Sequence, residues 1–215
     1  MLRGFDAPAE ATDAMRSDSK VVLVALAAGL LGLLASLAVN GPGPLLGTEI
    51  GQRAVQGVLS ATAPKPPAGV SIARRGEQLP AITLHALDGS SVLIPTAYLG
   101  RPLLINVWAS WCGPCVREMP ELNRFAGEQA ANGVQVIGIA LDDAAAVQAF
   151  LQRIPVRYPI LLDAPGPADA GVHLGNPKGV LPYSVLVSAD GRLLKQRIGP
   201  FAAGEIGDWA GAGAQ

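Results

Sequence analysis

From about Leu79 to Ala212, apolar runs of strand length alternate with runs of helical period, and this alternation restricts the fold more than any other feature of the chain. Ile82–His85 and Val92–Ile94 flank the turn signal Asp88-Gly89 and predict a hairpin. Leu103–Ala109 is apolar throughout except at Asn106, as expected of a strand covered on both faces. The pattern then predicts a helix over Cys112–Ala131 with Leu122 and Phe125 on one side, and a second buried strand at Val134–Leu141. A helix at Ala144–Arg153 follows, capped by Asp142 or Asp143, whose side chains suit the N-cap. Next come a short strand at Pro159–Leu162 and a weak helical turn around Asp169–Leu174. Tyr183–Ser188 and Leu193–Ile198 flank Asp190-Gly191 as a second hairpin, and Ala203–Ala212 closes as a helix. Strands alternating with helices and ending in an antiparallel hairpin predict an α/β layer fold with a mixed sheet. The 137 residues from 79 to 215 suffice for one core, and they contain no internal repeat.

The preceding residues have a different character. Of the 215 residues 50% are hydrophobic and only 15% charged, and the mean hydropathy is +0.35. Soluble domains of similar apolar content carry about 25% charged residues, so part of the apolar material belongs outside a water-soluble core. Val21–Val39 supplies it, with 19 residues free of charge and Ser36 as the only polar side chain. At about 1.5 Å per residue a helix of this length spans a hydrocarbon core of roughly 30 Å. Arg3, Arg16 and Lys20 precede the run and only Arg53 falls in the 20 residues after it, which predicts a cytoplasmic amino terminus. A cleaved signal peptide, processed near Ser36-Leu37-Ala38, is the competing reading. Against it stand Asp6, Glu10, Asp13 and Asp18 in the leader 1–20, and an apolar run longer than the usual 7–15 or so residues of a signal core. On both readings the chain beyond about residue 40 is exported. Residues 40–78 carry Asn40-Gly41-Pro42-Gly43-Pro44 and Ala63-Pro64-Lys65-Pro66-Pro67 and read as a spacer. Leu46, Ile50 and Val58 would fit a short helix there, but Gly47, Gly51 and Gly57 weaken it. The net charge of −1 gives no electrostatic reason to expect nucleic-acid binding.

Both cysteines of the chain lie in Trp111-Cys112-Gly113-Pro114-Cys115, where a buried strand gives way to a helix. Two intervening residues at a helix start bring the sulfurs one turn apart, close enough for a small disulfide ring. The unpaired N–H groups and the positive end of the helix dipole favour a thiolate there. Cys112 is therefore expected to be exposed and acidic, and to attack a partner's disulfide. Cys115, one turn inside, then resolves the mixed disulfide. Pro114 suits the first helical turn because it has no N–H to leave unpaired. A purely structural disulfide is disfavoured, since so small a ring restrains little of the unfolded chain. A structural zinc would want four ligands, and His85 and His173, the only histidines, stand at no ligand spacing from the pair.

With these residues in view the domain resembles the thioredoxin superfamily, and more closely its membrane-tethered branch of TlpA, ResA and CcmG-like thiol:disulfide oxidoreductases. The resemblance covers roughly Leu79 to Ala212. It rests on Asn106-Val107-Trp108-Ala109-Ser110-Trp111-Cys112-Gly113-Pro114-Cys115-Val116-Arg117-Glu118-Met119-Pro120-Glu121-Leu122, on Leu87-Asp88-Gly89, and on Val180-Leu181-Pro182. It implies a thioredoxin-like mixed sheet flanked by helices, with an N-terminal β-hairpin extension and a single transmembrane helix before it. Glu118 falls at the family's active-site glutamate. Three positions after Cys115, it lies on the same helix face one turn deeper and is placed to serve that cysteine's proton; without the resemblance it reads as an acid near a helix start. Asn106 stands where thioredoxins carry a buried acid. An amide cannot shuttle a proton, so Asn106 reads as a polar group fixing its strand to a neighbour. Pro120 matches the superfamily's kink proline and has a structural role. Leu181-Pro182 matches the cis-proline loop, where the Leu181 backbone would pair with an extended substrate. Tyr183 after the proline replaces the acid that CcmG-type proteins often carry. Trp111 would form a partly exposed rim that meets partners. Asp142 and Asp143 read as capping residues, and the two histidines as ordinary surface or turn positions.

The resemblance implies a disulfide reductant in the periplasm, anchored in the bacterial inner membrane through residues 21–39 and needing no cofactor beyond the Cys112–Cys115 pair. Its Gly-Pro dipeptide is shared with thioredoxin, a reducing protein at about −270 mV. It further implies cysteine-containing protein substrates, apocytochrome c or copper-site proteins, and a membrane electron donor of the DsbD/CcdA type. Two alternatives stand beside it. A copper chaperone on the same fold would want a further His or Met near the cysteines, and a DsbA-like oxidase usually replaces Pro114.

Overall fold

The apolar runs form the elements whose periods they carry. In a computed structural model of the chain, which describes residues 21–25, 27–29, 31–32, 48–129 and 133–211, the strands are β1 (Ile82–Ala86), β2 (Ser91–Ile94), β3 (Leu103–Trp108), β4 (Gln135–Leu141), β5 (Ile160–Asp163), β6 (Tyr183–Val187) and β7 (Leu193–Ile198). The helices are α1 (Glu49–Ala61), α2 (Gly113–Glu128), α3 (Ala144–Arg153), α4 (Ala170–His173) and α5 (Glu205–Gly211). The strands make one sheet in the order β2-β1-β5-β4-β3-β6-β7. The three central strands β5, β4 and β3 are parallel, and every other pairing is antiparallel. This is a thioredoxin-like mixed sheet with an added N-terminal hairpin, as the resemblance implies.

Alternation along the strands sends side chains to two cores. Leu104, Trp108 and Leu186 point to one side, where Cys115, Met119 and Leu122 of α2 pack with Val147 and Phe150 of α3 and Ile206 of α5. Leu103, Ile105, Val107, Tyr183 and Val185 point to the other, where they meet Leu84, Ile94, Ala170 and Leu174. β3 is buried along its whole length, which accounts for its nearly unbroken apolar text. Each large side chain on these faces adds roughly 1.5–3 kcal/mol of burial.

Backbone contacts divide the chain into two units, 1–48 and 49–215. In the first, the described residues within 21–32 are helical and exposed. Among the described residues no helix is long and apolar enough to cross a membrane. The leader 1–20, the rest of the apolar run including Ser36-Leu37-Ala38, and 40–47 lie outside them, as do Ala131 and Ala212 at two predicted helix ends. The second unit corrects the spacer reading of 40–78. Residues 49–61 form α1, Gln52 is buried, and Ala73 belongs to the second core. Gln52 anchors the helix that the glycines weaken, because its side chain takes tertiary partners: Nε2 donates to the Ile198 carbonyl at 3.1 Å and Oε1 accepts from Ile198 N–H at 2.8 Å. Tertiary packing of this kind outweighs the helix propensity lost at Gly51 and Gly57.

Candidate active site

Strand β3 ends at Trp108, and the chain turns through Ala109–Trp111 into α2. Asp142 fixes that turn: its Oδ2 accepts from Ser110 N–H at 3.1 Å and Ser110 Oγ at 2.5 Å. Asp143 alone caps α3, accepting from Ala146 N–H at 2.8 Å, so the two adjacent acids do different work. Cys112 is the N-cap of α2, Pro114 sits in the first turn, and Pro120 lies inside the helix.

Cys112 and Cys115 form a disulfide. Cys115 N–H donates to Cys112 Sγ at 3.3 Å. That donor, with the helix dipole behind it, favours negative charge on the first sulfur once the bond is opened. Cys112 is only 6% exposed and Cys115 not at all. The expected exposure of Cys112 is thus corrected to a nearly buried residue, because the disulfide draws its sulfur onto the helix end. The order of the two cysteines is as expected. Trp111, 70% exposed, stands beside them as the apolar rim. The Leu181–Pro182 bond is cis, Leu181 packs against the core that contains both cysteines, and Pro182 is buried.

Glu118 is buried one turn below Cys115. Its Oε1 accepts from Asn106 Nδ2 at 2.7 Å and its Oε2 from Phe201 N–H at 2.9 Å. Burial pushes its carboxyl up from 4.5 to about 7, against the lowering effects of these two hydrogen bonds and of the Arg197 charge. A carboxyl so tuned can take or give a proton near neutral pH. Asn106 also donates to Ser184 Oγ at 3.0 Å, so it does tie β3 to β6. The register places Gly138, Asn106, Ser184 and Arg197 side by side across four strands, a polar row beneath Glu118. A Cβ at Gly138 would come within 2.6 Å of Ile160 Cδ1 and 3.0 Å of Trp108 Nε1, so both side chains would have to give way to admit one. Tyr158 is held neutral by burial, with the Glu118 charge adding to the effect.

Sequence reasoning missed Ser110, Ser184, Arg197, Glu205 and Phe201 as members of this environment. Arg197 left only a faint signal, as a charged residue inside a strand that also carries Lys195. His85 is exposed on β1, and His173 Nδ1 lies 2.8 Å from the Ser71 carbonyl, so neither histidine joins the site.

The Redoxin family description matches residues 74–211. The thiol-disulfide oxidoreductase ResA of Halalkalibacterium halodurans is 31% identical over 132 residues, 60% of this chain and 71% of that protein. Sporulation thiol-disulfide oxidoreductase A of Bacillus subtilis is 26% identical over 136 residues, 61% of this chain and 79% of its own. Among solved structures, a thiol-disulfide oxidoreductase of Bacteroides fragilis superposes with a TM-score of 0.50 at 26% identity, covering 57% of this chain and 90% of that one. A secreted thiol-disulfide isomerase of Corynebacterium glutamicum shares the fold with a TM-score of 0.56 at 24% identity, covering 68% and 93%. Matched along most of its second unit, the chain belongs to the Redoxin family.

Proposed function

We propose that the chain is a thiol:disulfide oxidoreductase, tethered to the bacterial inner membrane by residues 21–39 with its second unit in the periplasm, and that it reduces disulfides of apocytochrome c or copper-site proteins. The observation that carries the exchange chemistry is the Cys112–Cys115 disulfide at the N-terminus of α2, beside the exposed Trp111. The similar proteins named as thiol-disulfide oxidoreductases support it. The tether is supported by the uncharged run 21–39 and by the exposure of Val21, Val22, Leu23, Val24 and Leu31.

In the reduced protein the Cys112 thiolate attacks one sulfur of a substrate disulfide, forming a mixed disulfide and releasing the substrate's other sulfur as a thiolate. Cys115 gives its proton to Glu118 and attacks Cys112 Sγ. The second substrate sulfur leaves as a thiolate and takes up a proton, so the substrate gains two electrons and Cys112–Cys115 is oxidised. A dithiol on a membrane protein of the DsbD/CcdA type restores the reduced pair. The Leu181 backbone at the cis bond offers an extended substrate a strand partner.

In Cys115→Ser the second step is blocked, and Cys112 should accumulate mixed disulfides with its substrates in the native host. Adducts that include apocytochrome c or copper-site proteins support the whole reading. Adducts with other proteins only would overturn the substrate assignment, and a Cys112 that forms no adduct would overturn the exchange chemistry itself.

A further inference from the structure

Arg197 is a buried cation in a strand, and Glu118 uses it only at a distance. Its side chain is 6% exposed, a costly place for a guanidinium unless its charge and its donors are met. Glu205, from the first turn of α5, meets the charge and the two Nη groups: Nη1 donates to Glu205 Oε1 at 2.6 Å and Nη2 to Oε2 at 3.0 Å, a two-pronged pair. Nη2 also donates to the Pro200 carbonyl at 2.9 Å, and the guanidinium lies 4.6 Å from the Phe201 ring centre. Glu205 Oε2 in turn accepts from Ala202 N–H at 2.8 Å.

The pair therefore grips the short loop between β7 and α5 from both ends, and that loop has two outputs. Phe201 N–H donates to Glu118, and Gly199 N–H donates to the Pro182 carbonyl at 2.9 Å. One clamped loop joins the carboxyl below Cys115 to the cis-proline turn.

We propose that Arg197 and Glu205 are positioning residues, whose ion pair holds the 199–202 loop against both Glu118 and Pro182 and sets the proton affinity at which Glu118 works. This rests on the reading of Glu118 as the proton acceptor of Cys115. The groups facing Glu118 are Asn106 of β3, Ser184 of β6, Arg197 of β7, Phe201 N–H of the loop, Tyr158 before β5 and Cys115 of its own helix. Arg197 is the only one of these to bear a charge while the disulfide is closed. Its influence depends on how far Glu205 cancels it.

The two partners must then act with opposite signs. In Arg197→Gln the cation is lost, and the Glu118 midpoint should rise by about one pH unit, a tenfold change in proton affinity. In Glu205→Gln the amide keeps one acceptor oxygen and turns an NH2 toward a donor at the other, so the grip weakens. The Arg197 charge is no longer cancelled, however, and this larger effect should make the midpoint fall. A merely structural brace would loosen the loop in both variants, weaken the Phe201 hydrogen bond, and move both midpoints upward.

The measurement is a ¹³C carboxyl titration of the oxidised, full-length protein in detergent, with the Glu118 resonance assigned by its absence in Glu118→Gln. Shifts of opposite sign support the proposal. Shifts in one direction, or none, overturn it. If Arg197→Gln does not fold, Glu205→Gln decides alone, and a midpoint that stays or rises overturns the proposal. The underlying reading fails separately: if release of a Cys112 mixed disulfide keeps its pH inflection in Glu118→Gln, Glu118 is not the proton acceptor, whatever its carboxyl does in the other variants.

Discussion

On the side of the sheet away from α2, the buried polar groups are paired with one exception. The Tyr183 hydroxyl donates to the Leu174 carbonyl at 2.9 Å and accepts from Gln196 at 2.9 Å. The Asn176 side chain both donates to and accepts from the Val180 backbone, and Asp169 caps α4 by accepting from Val172 N–H. On the α2 side the same kinds of group are left incomplete. Asn106 Oδ1, Trp108 Nε1, the Tyr158 hydroxyl and Arg197 Nε have no hydrogen-bond partner among the described residues. The exception on the other side is Gln56 Oε1 of α1, whose Nε2 donates to the Gly175 carbonyl near Tyr183. A core built only for stability pairs its buried polar atoms, because each one left unpaired costs about 1–3 kcal/mol. The incomplete side is the one that holds the disulfide and a carboxyl poised near neutral pH. Asn106 shows how the two facts connect: it spends its nitrogen on Glu118 and Ser184, while its free oxygen is an acceptor that a protonated Glu118 could use.

The largest test of this contrast is the pH dependence of stability. Glu118 gives up its proton near 4.5 in the unfolded chain and near 7 in the fold. Between those values the folded state holds more protons, so stability is fully present below 4.5, falls as pH rises, and levels off above 7. The loss amounts to about 3 kcal/mol. Urea unfolding of the oxidised protein from pH 4 to 8 should show this decline, and Glu118→Gln should show a flatter profile by about that amount. Parallel profiles would mean that the incomplete side stores no proton in this range.

A smaller effect separates the two buried tyrosines. Tyr183→Phe removes a hydroxyl with two partners and should cost about 1–3 kcal/mol in urea unfolding at fixed pH. Tyr158→Phe removes a buried hydroxyl without a protein partner, lifts the penalty of leaving it unpaired, and should raise stability by about 1–3 kcal/mol. Equal costs would erase the distinction between the two sides.

The sequence carried much of this arrangement and missed one side of it. Strand–Trp-Cys-Gly-Pro-Cys–helix located the disulfide because the two signals, a period change and a cysteine pair, fall at the same place. The buried strands β3, β4 and β6 were legible from their apolar runs. Asn106 stood out as a single polar residue in such a run, and its tie to the neighbouring strand followed from that alone. Ser184 and Arg197 could not be found in this way, because they join the row of Asn106 through cross-strand register, and one residue of slip would have turned both away. Phe201 acts on Glu118 with its backbone, which no side-chain identity reveals. Helix α1 was legible only as a weakened possibility, because glycines lower its intrinsic propensity while its stability comes from the strand it rests on.

That strand is β7, an edge of the sheet, and α1 there belongs to neither side of the contrast. Ile198 turns its N–H and C=O outward, and the Gln52 side chain meets both as a neighbouring strand would. Gln52→Ala should therefore cost only about 1 kcal/mol, since water can replace part of what the amide supplied at an edge. It should leave the titration midpoint of Glu118 where it is, because the Arg197–Glu205 pair, rather than α1, fixes the loop that reaches the carboxyl. Urea unfolding gives the first quantity and a carboxyl titration the second. A shifted midpoint in Gln52→Ala would show that the edge and the proton site are coupled through β7, and the separation between a structural edge and a chemical face would have to be withdrawn.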